Sequence, residues 1–349
     1  MGTTAERSSI PVPATAGGWV ELARTTLGST SSSITVSNIP DKRYYMVLQN
    51  DLASGNVNWN FRVGNGSIDT GSNYSDRHST NGGADTTSIN ANRIGDVLGN
   101  QPHDRFGVMY FANLASKEKL MQGHIMDYGV AGAGATTAPD RVEIVAKWTN
   151  TSNVIDTVQL LDDGTDVMAA GSELVVLGWD PADTHTNNFW EELASNQLGS
   201  ETTLSSGTFT AKKYLWVQIY TANVASDNQA IYFNSDNSTN YSFRYSNNGG
   251  SDGTVTSNNT IQTAIAGGSG TYWSFTNMFI INNSSNEKLV IIHTNENTTE
   301  GASNAPVRTE VVGKWANTSS QITDIKIADG GGTQNNQQVG SFIKVWGAD

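Results

Sequence analysis

The chain repeats itself, and that restricts its fold more than any single motif does. Residues 19–29 read WVELARTTLGS, and residues 190–200 read WEELASNQLGS. Residues 73–83 (NYSDRHSTNGG) match residues 240–250 (NYSFRYSNNGG) at eight of eleven positions. Residues 138–152 (APDRVEIVAKWTNTS) match residues 305–319 (APVRTEVVGKWANTS) at ten of fifteen. Both halves close alike, with GSELVVLGWD at 171–180 and GSFIKVWGAD at 340–349. The matches are collinear, so one ancestral unit has been written twice. A unit of about 160 residues is too long for a solenoid repeat and suits an autonomous domain. The expected layout is an extended N-terminal arm (1–18), repeat one (19–180), a linker (181–189) and repeat two (190–349).

Composition identifies the kind of unit. Charged residues make up only 15%, against roughly 25% in ordinary soluble domains. Gly occurs 35 times, and aromatics reach 9%, enough to fill a core in each repeat. Strand formers and turn formers replace the Ala, Leu, Glu and Lys of helical chains. Short Val/Ile/Tyr/Trp-rich runs occur at 44–48, 107–112, 120–125, 141–148, 155–161 and 173–179, with counterparts at 214–220, 277–281, 288–293 and 342–346. Gly/Asn/Ser clusters such as 64–66 and 248–250 punctuate them as turns. Helical periodicity is confined to fragments such as 189–194. The reading is all-β: two tandem antiparallel β-sandwich domains, jelly-roll-like, with eight or nine strands each.

Several function classes fall away. With no cysteine there is no disulfide scaffold, zinc finger or thiol enzyme. No apolar run reaches 18 residues, so no membrane-spanning helix is expected. Residues 1–18 lack an apolar h-region, so no secretory leader is expected. A net charge of −13 argues against a nucleic-acid partner. The G-x-S-x-G, P-loop and H-E-x-x-H signatures are missing, and no enzyme is expected. Glu21, Glu118 and Glu143 could supply a glycosidase pair, but any sandwich offers such combinations. Glu118 reads most simply as part of a charged turn.

No cofactor is expected. The Asp162–Asp166 loop could chelate Ca2+ through oxygen, but it lacks EF-hand spacing, and repeat two carries Asp329-Gly330-Gly331-Gly332 instead. The five histidines (78, 103, 124, 185 and 293) include no two at metal-ligand spacing. His124 and His293 coincide between the repeats and read as satisfied strand-end residues.

Two constellations remain. Tyr74, Arg77 and His78 in repeat one, with Tyr241, Arg244 and Tyr245 in repeat two, join aromatic, guanidinium and amide chemistry beside a Gly turn. That set suits sugar or protein contact, and equally a loop anchor. The second is a strand. Alternation puts Val142, Ile144, Ala146 and Trp148 on one face and Arg141, Glu143, Val145 and Lys147 on the other. Arg308, Glu310, Val312 and Lys314 repeat that split, opposite Trp315. The expectation is a Trp-bearing core face backed by a structural charge ladder.

The Trp-x-Glu-Leu opening, the APxRxExVxKWxNTS strand and the Gly178-Trp179-Asp180-Pro181 junction resemble virion structural proteins of marine tailed phages. The resemblance spans both repeats. It implies a virion location and a capsid decoration, head-fibre or tail-fibre role, with no site residues to carry over. The expected partners are copies of the chain itself, as a homo-oligomer such as a trimer, and other virion proteins. In that setting the outer sheet faces contact neighbours, and the arm laces subunits together. Two other readings stay open: a double-jelly-roll-type major capsid protein, and a carbohydrate- or host-receptor-binding module with exposed aromatics at Tyr74 and Tyr241.

Overall fold

A computed structural model gives the fold; it describes residues 18–349 other than 130–133, 163–167, 182, 184–186, 223–227, 266–272, 298, 300, 330–331 and 333–336. Most of the arm, most of the Asp162–Asp166 loop and His185 therefore lie outside the described residues.

Repeat one supplies β1 (Val20–Thr26), β2 (Ser33–Val36), β3 (Tyr44–Asp51), β4 (Val57–Asn65), β5 (Ser67–Ile68), β6 (Tyr74–Thr80), β7 (Thr86–Ala91), β8 (Ile94–Gln101), β9 (Arg105–Ala112), β10 (Lys119–Asp127), β11 (Asp140–Trp148), β12 (Thr157–Leu161) and β13 (Glu173–Trp179). Repeat two supplies β14 (Glu191–Gln197), β15 (Tyr214–Ala222), β16 (Gln229–Phe233), β17 (Tyr241–Asn247), β18 (Gly253–Asn258), β19 (Ile261–Ala264), β20 (Trp273–Ile281), β21 (Lys288–Asn297), β22 (Val307–Trp315), β23 (Ile325–Asp329) and β24 (Phe342–Ala348). Among the described residues the only helical element is one 3-10 turn, Gly134–Thr136.

The main sheet of repeat one runs β1-β13-β3-β9-β10-β11-β6-β7, and that of repeat two runs β14-β24-β15-β20-β21-β22-β17-β18. Matched through the aligned strings, these two orders are identical. Each main sheet is backed by a smaller one, β2-β12-β4-β5 with β8 on β4 in the first repeat and β19-β16-β23 in the second. Even the irregularities recur. β1 bulges between Glu21 and Ala23, and β14 between Glu192 and Ala194. The Asn81-Gly82 and Asn248-Gly249 turns both hold positive φ at two successive residues, which a tight hairpin demands and which Asn-Gly tolerates.

Two expectations need correction. Among the described residues the repeats hold thirteen and eleven strands, not eight or nine. The extra strands are short or polar, such as Thr86–Ala91 (TTSINA), and edge strands need no apolar run to pair. Of residues 189–194, the last four lie in β14 rather than in a helix. Its Leu193 lies over Gly347, where an added Cβ would stand 2.5 Å from the Leu193 Cδ1. Packing onto the neighbouring strand thus overrides the local pattern.

Each sandwich has its own core. Tyr45, Trp59, Phe61, Tyr74, Phe111 and Trp148 anchor the first, and Phe233, Tyr241, Phe243, Ile280, Ile292 and Trp315 the second. A third cluster joins them. Met46, Leu48, Phe106, Val108, Met126, Val175 and Leu177 from the outer face of the first main sheet pack with Tyr214, Phe279, Ile281, Leu289, Ile291 and Val312 from the outer face of the second. The outer faces, expected to serve neighbours, are thus partly covered by each other inside one chain.

Candidate functional site: the junction of the two sheets

The shared sequence strings converge on one structural corner in each repeat. Tyr74 is fully buried; its hydroxyl lies 2.6 Å from the Val63 carbonyl and 2.8 Å from the Asp69 carbonyl. Trp148 donates its indole N–H to the Asp69 carboxylate at 2.7 Å. Repeat two copies this: Tyr241 bonds the Asp236 carbonyl at 2.8 Å, and Trp315 bonds the Asp236 carboxylate at 2.8 Å. Beneath each Trp lies a buried lysine. Lys119 donates to the carbonyls of Lys117 and Asn150, and Lys288 to those of Asn286 and Asn317. Their ammonium groups sit 5.6 and 5.9 Å from the Trp ring centroids. Burial pulls the Lys288 pKa down to about 8. Sequence reasoning missed these lysines, although the recurring Glu-Lys-Leu at 118–120 and 287–289 was a usable signal.

Tyr74 and Tyr241 are therefore not exposed platforms. Their phenols fix loops, since a buried hydroxyl must be bonded. The rest of the two contact triads scatters. His78 is buried, with Nδ1 3.0 Å from Asp76. Arg77 is exposed and pairs with Asp85 at 3.3 Å. Tyr245 packs against Phe243. Arg244 crosses to repeat one and donates to the Pro139 carbonyl (2.8 Å) and the Asp140 carboxylate (3.1 Å).

The charge ladder has a larger role than expected. Arg141 reaches over to Asp252 of repeat two with two hydrogen bonds of 2.8 and 2.9 Å, contacts Glu143 on its own strand, and lies 3.4 Å from Glu310. Equivalent residues meet beside it: the His124 and His293 rings are 4.2 Å apart, and Glu143 and Glu310 share a hydrogen bond. Two carboxylates sharing a bond need a proton. Burial and then Glu143 push Glu310 up to about 7, whereas Glu143 is held below its ordinary value. Burial keeps both histidines neutral. Lys314 is buried, 2.6 Å from the Tyr128 carbonyl of repeat one. Its counterpart Lys147 stays outside, paired with Glu118 at 3.0 Å, and Arg308 is exposed beside Glu310.

The unfolded chain releases the Glu310 proton near its ordinary pKa, and the folded junction only near 7. Stability from this group falls as pH rises across that window and stays low above it. Glu310→Gln should therefore stabilise the protein by roughly 1–3 kcal/mol at pH 8 and much less at pH 5. Thermal melts at the two pH values measure this, and an equal effect at both would refute the shared proton. Below about 6.5 the histidines act with the opposite sign: the unfolded chain gains their protons while the junction refuses them, so acid destabilises it.

The junction does not bury equivalent halves. Leu289 and Val312 of repeat two are 2% and 4% exposed, but their counterparts Leu120 and Val145 are 60% and 52% exposed. Tyr214, Phe279 and Ile291 are buried, whereas Tyr44, Tyr110 and Gln122 are open or half-open. The reverse holds at the other end of the strands: Phe106, Val108 and Met126 are buried and Phe275, Asn277 and Asn295 are not. Polar contacts fasten the closed end, where Glu173 takes bonds from Lys213 (2.9 Å) and Tyr214 (2.8 Å), and Asn283 bonds Asn50 (3.0 Å). The two main sheets thus meet along one end of their strands and part toward the other. On repeat one this leaves a groove of about 650 Å³ walled by Tyr44, Tyr110, Leu120, Gln122, Val145 and Ile89. On repeat two it leaves an aromatic row, with Tyr220 stacked between Trp273 (5.1 Å) and Phe342 (5.8 Å) beside Gln218 and Asn277.

No family model matches the chain, and no curated protein does. Among solved structures it is similar to domains LG4-5 of the mouse laminin alpha1 chain, at 11% identity and a TM-score of 0.22, covering 98% of this chain and 93% of that one. It is also similar to the LG1-3 region of the laminin alpha2 chain, at 10% identity and a TM-score of 0.23, covering 90% of this chain and 64% of that one. Likenesses that low carry no inference about what this chain binds.

Proposed function

We propose that the chain is a non-enzymatic structural protein of a virion, fixed to a neighbouring subunit through the face that repeat one leaves open. One observation carries this reading: Leu120 and Val145 stand exposed at the positions where repeat two makes its apolar contact with repeat one. Repeat two uses the equivalent positions of the same fold for an apolar contact, and this supports reading the open face of repeat one as a docking surface. The virion setting rests on the resemblance of the repeated strings. The test is a double substitution, Leu120→Asp with Val145→Asp. Both side chains are exposed, so stability should change by less than about 0.5 kcal/mol each. Incorporation into assembled particles should be lost, and undiminished incorporation would refute the reading.

A second reading has its own observation, the aromatic row with amides beside it on repeat two. That chemistry also suits a glycan, with sugar rings against Trp273 or Phe275 and hydroxyls on Gln218 and Asn277. Saturable binding on a glycan array, abolished by Trp273→Ala, would move the assignment to carbohydrate binding.

A further inference from the structure

The β10–β11 ladder ends on a pairing that should not be stable alone. Asp127 and Asp140 are direct cross-strand partners, and like charges in that position repel. Asp127 is fully buried. Its Oδ1 accepts the Gly129 backbone N–H at 2.7 Å, but its Oδ2 has no hydrogen-bond partner. His103, 5% exposed, comes in from the loop before β9 with its Nδ1 3.2 Å from that oxygen and likewise without a hydrogen bond. One ligand atom from each of His103, Asp127 and Asp140 lies within 4.8 Å of the other two.

We propose that His103, Asp127 and Asp140 hold a divalent transition cation of the zinc type. The donor set decides the class. One imidazole nitrogen with two carboxylate oxygens suits a borderline divalent ion, whereas Ca2+ takes six to eight oxygens. The cation satisfies the orphaned Nδ1 and Oδ2 and offsets the opposed carboxylates. Water completes its coordination from a pocket of about 450 Å³ that opens between Asn81, Gly99, Gln101 and Gly129. The second Asp140 neighbourhood fixes the ligand: its Oδ1 accepts from Asn81 (2.8 Å) and from Arg244 of repeat two (3.1 Å). The ion therefore braces the junction from one side. Repeat two has no copy of it. Glu296 stands at the Asp127 position and takes a bond from Thr309 at 3.1 Å, and Val307 stands at the Asp140 position. The site is thus one per chain, and no histidine spacing in the sequence marks it.

The test uses the full chain stripped with EDTA and titrated calorimetrically with Zn2+, then Co2+, then Ca2+. One Zn2+ per chain should bind, Co2+ should give the visible absorption of a nitrogen- and oxygen-ligated ion, and Zn2+ should raise the melting temperature. His103→Ala and Asp127→Asn should each weaken Zn2+ binding by about tenfold or more and remove the thermal shift. Asp127→Asn keeps the side-chain shape and the Gly129 bond, so it decides the matter if His103→Ala fails to fold. Absence of saturable Zn2+ binding, binding that both variants retain, or a preference for Ca2+ would each overturn the proposal. None of these outcomes depends on the docking groove of repeat one.

Discussion

Trp315→Ala should unfold repeat two. The indole is 1% exposed, lies against Phe233 and Tyr241, holds the Asp236 carboxylate, and covers the buried Lys288 ammonium. Emptying a buried Trp site costs about 3–5 kcal/mol, and here it also removes a bonded donor from Asp236 and the ring over Lys288. Whole domains are stable by roughly 5–15 kcal/mol, so the loss consumes much of the margin. Circular dichroism melts should show repeat two unfolding far earlier than in the parent, with Trp148→Ala doing the same to repeat one. Trp315→Phe, which keeps most of the ring, should cost clearly less. A melting temperature within a few degrees of the parent in Trp315→Ala would remove the corner from its assigned role.

Arg141→Met should loosen the junction without unfolding either sandwich. The guanidinium is the buried cation among Asp252, Glu143 and Glu310, and its side chain is 8% exposed. Deleting one partner of a buried ion cluster typically costs 3–5 kcal/mol, because the remaining charges stay buried and uncompensated. Each repeat keeps its own core, so the loss falls on the coupling between them. Calorimetry should show one cooperative transition in the parent and two separated transitions in the variant. Lowering the pH far enough to protonate Glu310 should restore part of the coupling until the histidines begin to oppose it. A single unshifted transition would show that the cluster holds nothing together.

How much of this was legible varies by residue. The alternation in 141–148 gives the core face correctly, because a strand has a period of two and Val142, Ile144, Ala146 and Trp148 are apolar together. The Asn-Gly turns were legible because few residues accept positive φ twice in succession. The polar strands β7 and β18 were not, since an edge strand is stabilised by ladder bonds that leave no mark on hydrophobicity. Tyr74 and Tyr241 read as possible contacts because a string cannot show whether a phenol points at water or at a carbonyl. His103 was passed over because its companions, Asp127 and Asp140, come from the ends of two other strands.

The sequence by itself determined the all-β class, the recurrence of the same strings in both halves and the apolar face of the Trp-bearing strand, because those depend on local pattern and on self-comparison. Only the tertiary structure decided what the outer faces do. Arg141 and Arg308 occupy the same place in the same string, yet one is buried in an inter-repeat ion cluster and the other faces solvent. The physical reason is that two copies of one sheet meet with opposite ends closed and open. Equivalent residues then find different surroundings, and no comparison of the strings alone can reveal which copy is covered.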